Sequence, residues 1–261
     1  VNGRGAIING SAVSQYNALR LMTLAGNTTF GGENPNARWD LRNVNGTSTL
    51  SMNGYTITKV GTNQVGLTNV GVTPGATGAI DVQQGSLTIE DNTTMGGSAA
   101  NTLTIRSGAY FDIYNLATPV EWSLVMEDNT RYFARQGTAT NRNIWAGPVT
   151  LNGRAVFDAN GAYVDTISGP ISGPGSVVKI YGNLTTYFRN PNNTYAGTTT
   201  ISNGTLYAQT VGSLPGYNDG RLTVLGGGTL AAHAWNGDAI GWTAENVRDL
   251  NASANFLADN A

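Results

Sequence analysis

The chain has 261 residues, enough to bury a sizeable core in one domain or two. Glycine fills 35 positions, asparagine 30 and threonine 33, a composition that favours short strands joined by turns and argues against long helices. The 40 % of hydrophobic residues excludes a disordered chain. A net charge of −2 without a basic block excludes an electrostatic surface for nucleic acid or anionic lipid. The absence of cysteine excludes disulfides and thiolate metal sites.

Charged residues make up only 11 % of the chain, well below the usual quarter of a soluble domain. A surface coated with threonine and asparagine suits a secreted protein. The sequence has no apolar run of roughly 18 residues that would predict a membrane span. The residues after Val1 do not read as a signal peptide. We therefore expect the chain to be a processed or excised piece of a larger exported protein.

Residues 1–60 consist of short apolar or alternating runs closed by glycine or asparagine. The dipeptide Asn53-Gly54 separates two of these runs. It usually marks a two-residue hairpin, but it also fits a corner between stacked coils because both residue types tolerate positive φ. The recurrence of the pattern along the chain favours the corner.

Residues 78–114 contain an internal alignment. Four pairs of similar residues are each 23 positions apart: Ile80 and Leu103, Val82 and Ile105, Gly85 and Gly108, and Leu87 and Tyr110. Four concordant offsets predict that the chain returns to the same position after each lap of about 23 residues.

The same period appears near the C-terminal end. The stretch Asn193–Leu206 reads as a turn, a short strand, a tight Asn-Gly turn and a second short strand. A similar stretch follows one period later, with Ile201 matching Val224 and Leu206 matching Leu230. A fixed repeat of this length is typical of solenoids, in which each coil buries the apolar residues of its neighbours.

The sequence therefore predicts an all-β, parallel β-helix of about eleven coils. No linker interrupts the pattern, so a single β-helix domain is expected over residues 1–261. Residues 236–261 differ in character and are predicted to be an atypical connector or cap. Within them, Thr243 is placed to cap a short helix with Glu245 in its first turn.

The stretch Asn193–Leu206 resembles the autotransporter-associated β-strand repeat of bacterial surface proteins. The residues that match this motif are Asn193, Thr194, Tyr195, Gly197, Thr200, Ile201, Gly204, Thr205 and Leu206. The resemblance covers about 60 residues well. It implies a right-handed parallel β-helix that forms a rigid exported stalk on the bacterial cell surface.

Paired carboxylates are the best candidates for catalysis, because two acids on adjacent coils could do acid and base work on a polysaccharide. The acids near the predicted strands are Asp81, Glu90, Asp91, Asp112, Glu121, Glu127, Asp128, Asp158 and Asp165. They share no 23-residue register with matching neighbours, so we interpret them as solvated surface acids. The arginines occur singly, and we expect them to cover surface as well.

Other candidate sites are weaker. His233 is the only histidine and has no nucleophile beside it, so we place it on an outer face and predict neither a catalytic triad nor a zinc site. The five tryptophans have no common spacing and are expected to pack in the core or at a cap: Trp39, Trp122, Trp145, Trp235 and Trp242. Calcium on stacked Asp and Asn rows stays an open alternative, although the calcium-binding nonapeptide is missing.

Three functions follow from these observations. The favoured one is a non-catalytic structural or adhesive stalk outside the cell, with no cofactor and with no catalytic or metal-binding residue. Its partners would be the rest of a larger surface protein or copies of itself, and a glycan or host surface. The alternatives are a polysaccharide-active lyase or glycoside hydrolase, and a self-assembling filament or sheath subunit.

Overall fold

The computed structural model describes residues 5–135, 142–160, 165–181, 184–234 and 241–257. These residues form 26 short β-strands, one 3-10 helix and one α-helix. The first strands are β1 (Ile7–Ile8), β2 (Gln15–Leu19), β3 (Leu21–Thr23), β4 (Thr28–Gly31), β5 (Arg38–Arg42), β6 (Ser48–Ser51), β7 (Thr56–Lys59), β8 (Gln64–Thr68) and β9 (Val70–Thr73). The next are β10 (Ala79–Val82), β11 (Ser86–Glu90), β12 (Thr94–Met95), β13 (Thr102–Ile105), β14 (Tyr110–Tyr114), β15 (Ser123–Met126), β16 (Thr130–Arg135), β17 (Ile144–Trp145) and β18 (Val149–Leu151). The remaining elements are β19 (Arg154–Asn160), β20 (Asp165–Ile167), β21 (Ile171–Ser172), β22 (Ser176–Ile180), β23 (Thr185–Phe188), β24 (Thr199–Ala208), the 3-10 helix (Val211–Ser213), β25 (Leu222–Ala232), α1 (Ala244–Ser253) and β26 (Asn255–Phe256).

Most coils contribute one strand to each of three sides, and neighbouring coils pair as parallel strands. Side A contains β1, β4, β7, β10, β13, β15, β18 and β21 in that order. Side B runs from β2 through β5, β8, β11, β14, β16, β19 and β22 to β24, β25 and β26. Side C consists of β3, β6, β9 and β12 in the early coils and of β17, β20 and β23 in the later ones. The coil of β13 and β14 has no strand on side C, and side A ends at β21. The late side C strands join the sheet of side B because β24 pairs with β22 through its first half and with β23 through its second half.

The predicted all-β parallel β-helix is confirmed, with about nine turns in place of the eleven expected. The expected number came from dividing the whole chain by a constant period of 23. Paired residues are instead 21 positions apart between Thr102 and Ser123 but 29 apart between Thr28 and Ile57. The C-terminal helix takes up further residues. At ~4.8 Å per coil, nine turns extend roughly 45 Å.

Inward side chains stack as columns of like residues. One column on side A runs through Ile57, Ile80, Leu103, Leu124, Val149 and Ile171, all of them buried and each paired with the next. The predicted partners Ile201 and Val224 also pair in register on side B. Full burial of such a side chain contributes about 2 kcal/mol, and one isolated coil could not provide it.

One predicted pair is wrong by one residue. Leu87 pairs with Phe111 and not with Tyr110. Phe111 is fully buried, whereas Tyr110 points outward and is 46 % exposed. The cause is Ala109, which separates Gly108 from β14, while β11 begins directly after Gly85. A shift of one residue sends a side chain to the opposite face of its strand.

The dipeptide Asn53-Gly54 forms a corner between β6 and β7, with φ values of 51° and 80°. The corner interpretation is therefore confirmed, and the hairpin is excluded because the strands of neighbouring coils are parallel.

The tight Asn-Gly turn expected at Asn203-Gly204 is wrong, because both residues lie inside β24. That strand bends from side B to side C at Gly204, whose φ is 69°. The bend coincides with a shift of register against β25 between Ile201 and Asn203. A continuous strand with a bulge therefore replaces the predicted turn.

The two lysines occupy positions in the apolar columns, and both are fully buried. Lys59 pairs with Val82, and Lys179 lies between Phe157 and Ile201. Buried charges in proteins require hydrogen-bond partners. Both lysines therefore need acceptors inside the coil.

Backbone carbonyls of the corners supply these acceptors. Nζ of Lys59 donates to the carbonyl oxygens of Val60, Gly61 and Gln84 at 2.9, 2.8 and 2.9 Å. Nζ of Lys179 donates to those of Ile180 and Tyr181 at 3.0 and 2.9 Å. In both cases the second residue after the lysine is left-handed, with φ 74° at Gly61 and 46° at Tyr181. Each lysine thus fixes the same kind of corner.

The predicted helix is confirmed as α1. The hydroxyl of Thr243 accepts from the N–H of Asn246, whose side chain accepts from the N–H of Thr243 in return. Leu250 is buried, and Ser253 donates to the carbonyl oxygen of Tyr217 at 3.1 Å, which attaches the helix to the preceding coil. Among the described residues, no helix is long and apolar enough to cross a membrane.

We expect Lys59→Met to lower the free energy of unfolding by about 3 kcal/mol, because the carbonyls of Val60, Gly61 and Gln84 lose their donor. Burial lowers the pKa of Lys59 to about 7, so urea unfolding at about pH 5.5, where the ammonium form dominates, measures the change. Ile105→Met is the control, since Ile105 lies in the same column and this exchange removes no hydrogen bond. Equal losses in the two variants would contradict the role given to the ammonium group.

Candidate functional site

The residues of the repeat motif lie at corners and in the core. Asn193 links three coils, because its Oδ1 accepts from the N–H of Ile171 at 2.8 Å and its Nδ2 donates to the carbonyl of Ser213 at 2.9 Å. Tyr195 is buried, with its hydroxyl 2.7 Å from that of Thr199.

The other motif residues continue this pattern. Ile201 and Leu206 are buried, Thr200 and Thr205 are half-buried in outward rows, Thr194 is exposed, and Gly204 is the bend of β24. At Gly197 an added Cβ would overlap the carbonyl of Gly175 in the preceding coil. The residues of the motif therefore have structural roles in the core and at the corners of the coil.

A different set of residues converges on the outer surface of side B. Alternate side chains of its strands point away from the core because successive residues of a strand face opposite sides. We call this surface the charged face; it consists of Arg38, Asp40, Arg42, Gln64, Thr68, Thr88, Glu90, Asp112, Tyr114, Arg131, Phe133, Arg135 and Asp158.

One sequence-based expectation is wrong at this face, because three acids expected in solvent are buried: Glu90 and Asp112 are 7 % exposed and Asp158 is 1 % exposed. The arginines, which occur singly in the sequence, cover the outer surface as expected but lie close together there. Glu121 and Asp128 are exposed as expected. The sequence signal that could have found the face is charge at every second position, as in Arg38-Trp-Asp-Leu-Arg42.

Arg38 organises one half of the charged face. Its guanidinium donates to both carboxylate oxygens of Glu90, each at 2.7 Å, and to Oδ1 of Asp40 at 2.5 Å. Glu90 lies two coils away from Arg38, so the arginine must lie flat across the intervening strand β8. Gly66 makes this possible, because an added Cβ there would overlap Oδ1 of Asp40 and Nη2 of Arg38.

Phe133 lies at the centre of the other half of the charged face. Its ring lies between two guanidinium groups of the same strand, with its centroid 4.2 Å from Cζ of Arg131 and 5.1 Å from Cζ of Arg135. Its neighbours in the adjoining coils are Asp112 and Asp158. Arg135 binds Asp112 at 2.5 Å, and Arg131 binds Asp158. Cations and carboxylates therefore alternate around one aromatic ring.

Burial governs the electrostatics of this face. Burial raises the pKa of Asp40 to about 6, although the ion pair with Arg38 opposes the shift. Burial likewise raises the pKa of Asp112 against the attraction of Arg135 and Arg131. Within the described residues, Oδ2 of Asp40 and Oδ1 of Asp158 are buried without a hydrogen-bond partner.

An open pocket of about 360 Å³ lies at the edge of the charged face. Its lining is polar and consists of Arg38, Arg42, Gln64, Glu90, Asp91, Tyr114 and Arg135. Asp91 follows β11 at a left-handed corner, with φ 56°, and its Oδ1 accepts from Asn115 at 3.1 Å. The pocket thus combines three arginines, two acids and one aromatic ring.

Asp165 is a buried acid of a different kind, because it lies in the interior and not on the charged face. It was expected in solvent, but its side chain has no exposed surface and its Oδ1 accepts from the hydroxyl of Tyr132 at 3.2 Å. Burial raises its pKa to about 7, while Tyr132 and Lys179 oppose the shift. The carboxyl is therefore largely protonated in mildly acidic solution.

The remaining candidates contribute no further site. His233 is half-buried. Trp39, Trp122, Trp145 and Trp242 pack in the core as expected, and Trp235 lies outside the described residues. Among the residues that the structure describes, no cluster of three or more His, Cys, Asp or Glu side chains could hold a metal ion.

Comparison of the chain with protein-family models, with curated proteins and with solved structures found no match in any of the three.

We expect Gly66→Ala to lower the free energy of unfolding by about 1–3 kcal/mol, because the added methyl displaces Arg38 from Glu90 and Asp40. Urea denaturation measures the loss. Gly71→Ala is the matched control, since a Cβ there would lie 3.8 Å from its nearest neighbour. Similar stabilities of the two variants would show that Arg38 does not depend on the glycine.

The free energy of unfolding should depend on pH through Asp165. Its pKa is about 7 in the folded chain against an ordinary value of 3.8, so the folded state holds the proton more tightly. The stability that this carboxyl contributes is complete below pH 4 and is lost as the pH rises towards 7 and beyond. We expect the free energy of unfolding to fall with a slope of at most about 1.4 kcal/mol per pH unit relative to Asp165→Asn.

Urea unfolding of both chains between pH 4 and 8 measures this difference. Asp219→Asn is the control, because that exposed carboxylate bonds to Arg221 and its pKa is lowered, so it stays ionised across this range. A parallel pH dependence of the wild-type chain and Asp165→Asn would contradict the assignment.

Proposed function

We propose that this chain is a non-catalytic structural and adhesive stalk of an extracellular bacterial surface protein. The observation that carries the proposal is the continuous parallel pairing of the coils, from Ile7 paired with Phe30 to Val224 paired with Phe256. A stack of equivalent coils forms a rod in which length and outer surface can vary while the core pattern stays the same. Such a rod suits the display of a binding surface at a distance from the cell.

Composition and motif support the location. Only 11 % of the residues are charged, cysteine is absent, and residues 193–206 resemble a repeat of exported bacterial surface proteins. A surface rich in threonine and asparagine forms outward rows, such as Thr185, Thr205 and Thr229 on neighbouring strands.

The polysaccharide-active alternative has less support. An enzyme of that kind needs one carboxyl group free to donate a proton and another free to attack or to activate water. On the charged face, Glu90 binds Arg38, Asp112 binds Arg135 and Asp158 binds Arg131. Each ion pair holds its carboxylate away from such a role.

Self-assembly is favoured by one observation at the first coil. β1, β2 and β3 are the terminal strands of their sheets, and the segment that contains them exposes Val13 by 65 %, Tyr16 by 51 % and Leu21 by 74 %. No described strand covers these parallel edges, and such edges beside apolar side chains favour pairing with a further strand, from a second copy of the chain or from a longer parent protein. This filament role is the second candidate, and it is compatible with a stalk.

Deletion of one complete coil tests the stalk proposal. Val149 pairs with Ile171, so removal of residues 149–170 brings Ile171 into the place of Val149 and keeps the Gly-Pro step before it. We expect this shortened chain to fold cooperatively and to lose ~4.8 Å of length, because β22 can pair with β16 as β19 does. Circular dichroism melting and small-angle scattering measure the result.

The matched control removes residues 149–159, about half a coil. This deletion breaks the register of every later strand and should abolish cooperative folding. Unfolding of both variants would contradict the interchangeability of the coils.

Release of sugar products from polysaccharides by the intact chain, abolished in Asp112→Asn or Asp158→Asn, would contradict the non-catalytic role. Growth of the assembly with concentration in analytical ultracentrifugation would favour the filament.

A further inference from the structure

We propose that the pocket on the charged face binds an acidic saccharide whose carboxylates are separated by neutral sugar units. This inference rests on the adhesive part of the proposed function and gives it a site and a ligand class.

The arginines of the pocket indicate which ionic group the ligand carries. Arg38 is saturated by Glu90 and Asp40, and Arg135 is paired with Asp112. Arg42 is the one arginine of the pocket without a hydrogen bond or ion pair to a described residue, and its Nε is buried without a partner. A free guanidinium with parallel N–H groups matches a carboxylate in a bidentate ion pair.

The negative charge of Asp91 in the pocket disfavours ligands with many closely spaced negative groups. Asp91 lines the same pocket. Its carboxylate accepts a hydrogen bond from the neutral amide of Asn115. A second negative group close to the first would meet Asp91 in repulsion. A ligand with a single, sparse negative charge is therefore favoured over a nucleic acid or a heavily sulfated chain.

The rest of the lining fits the hydroxyls and the ring of a sugar. Tyr114 is half-buried and supplies an aromatic surface on which the C–H face of a pyranose can pack. Gln64, the first residue of β8, and Asp91, which follows β11, offer polar groups to ligand hydroxyls.

The pocket continues along the axis of the stack. Arg42, Thr68, Glu90, Tyr114 and Arg135 form one row of paired positions on five consecutive coils. Four steps of ~4.8 Å separate the two arginines, so the row is roughly 19 Å long. A saccharide of several units can therefore lie along the rod and contact more than one coil.

Isothermal titration calorimetry with a hyaluronan hexasaccharide, in which carboxylate-bearing sugars alternate with neutral ones, tests the proposal. We expect binding that is roughly tenfold or more tighter than that of the neutral maltohexaose, because Arg42 acts only on the carboxylate. Equal affinity for the two hexamers, or binding of neither, would overturn the inference. Chondroitin sulfate as the tighter ligand would overturn the carboxylate assignment.

Variants locate the site. Arg42→Gln should weaken binding of the acidic hexamer roughly tenfold, and Arg42→Lys should weaken it less, because the charge stays but the bidentate geometry is lost. Arg20→Gln is the matched control, since Arg20 is exposed on the first coil and lies outside the pocket. Circular dichroism establishes that each variant is folded. An unchanged affinity in folded Arg42→Gln would overturn the site.

A last variant tests the selection by charge. Asp91→Asn keeps a residue that tolerates the left-handed corner and removes the negative charge. We expect it to bind chondroitin sulfate several-fold more tightly than the wild-type chain does, and no gain would overturn the role of Asp91. A chain that tolerates the deletion of residues 149–170 but does not bind the acidic hexamer would overturn this inference and leave the stalk proposal intact.

Discussion

The stability of this protein depends on burial between coils. An inward side chain such as Leu103 is covered by Ile80 from one neighbouring coil and by Leu124 from the other, and the backbone between them pairs as a parallel ladder. Because a strand alternates its faces, this cover exists only while the register holds. The corners take up most of the differences in coil length, and a bulge within a strand, as between Ile201 and Asn203, takes up the rest.

The corners also contain the hydrogen-bond donors that inward backbone carbonyls need. A chain that turns three times per coil must direct some carbonyls inward, where they need donors. Lys59 and Lys179 supply ammonium groups to such carbonyls, and Asn193 bridges the coils on both sides of its own. The two lysines are thus structural residues, and the outer surface carries its positive charge on arginine.

The same alternation that fills the core creates the charged face. Residues between inward positions of side B must point outward, and strand pairing then places them in rows about one coil apart. Long arginine side chains lie flat across these rows, as Arg38 does above Gly66. Ion pairing there immobilises the carboxylates but leaves Arg42 free, which is why the face supports ligand binding better than catalysis.

The sequence by itself determined the fold class, the approximate period and the helix at Thr243, because apolar periodicity and capping are local patterns. It also placed Ile80 on Leu103 and Ile201 on Val224 in advance. It missed the one-residue shift at Tyr110 and the continuous strand at Gly204, because corner lengths vary without a local signal. Only the tertiary structure revealed the charged face and the burial of Asp165. Residues such as Arg38 and Glu90 are 52 positions apart in the chain, and the number of residues in each intervening corner decides whether they meet.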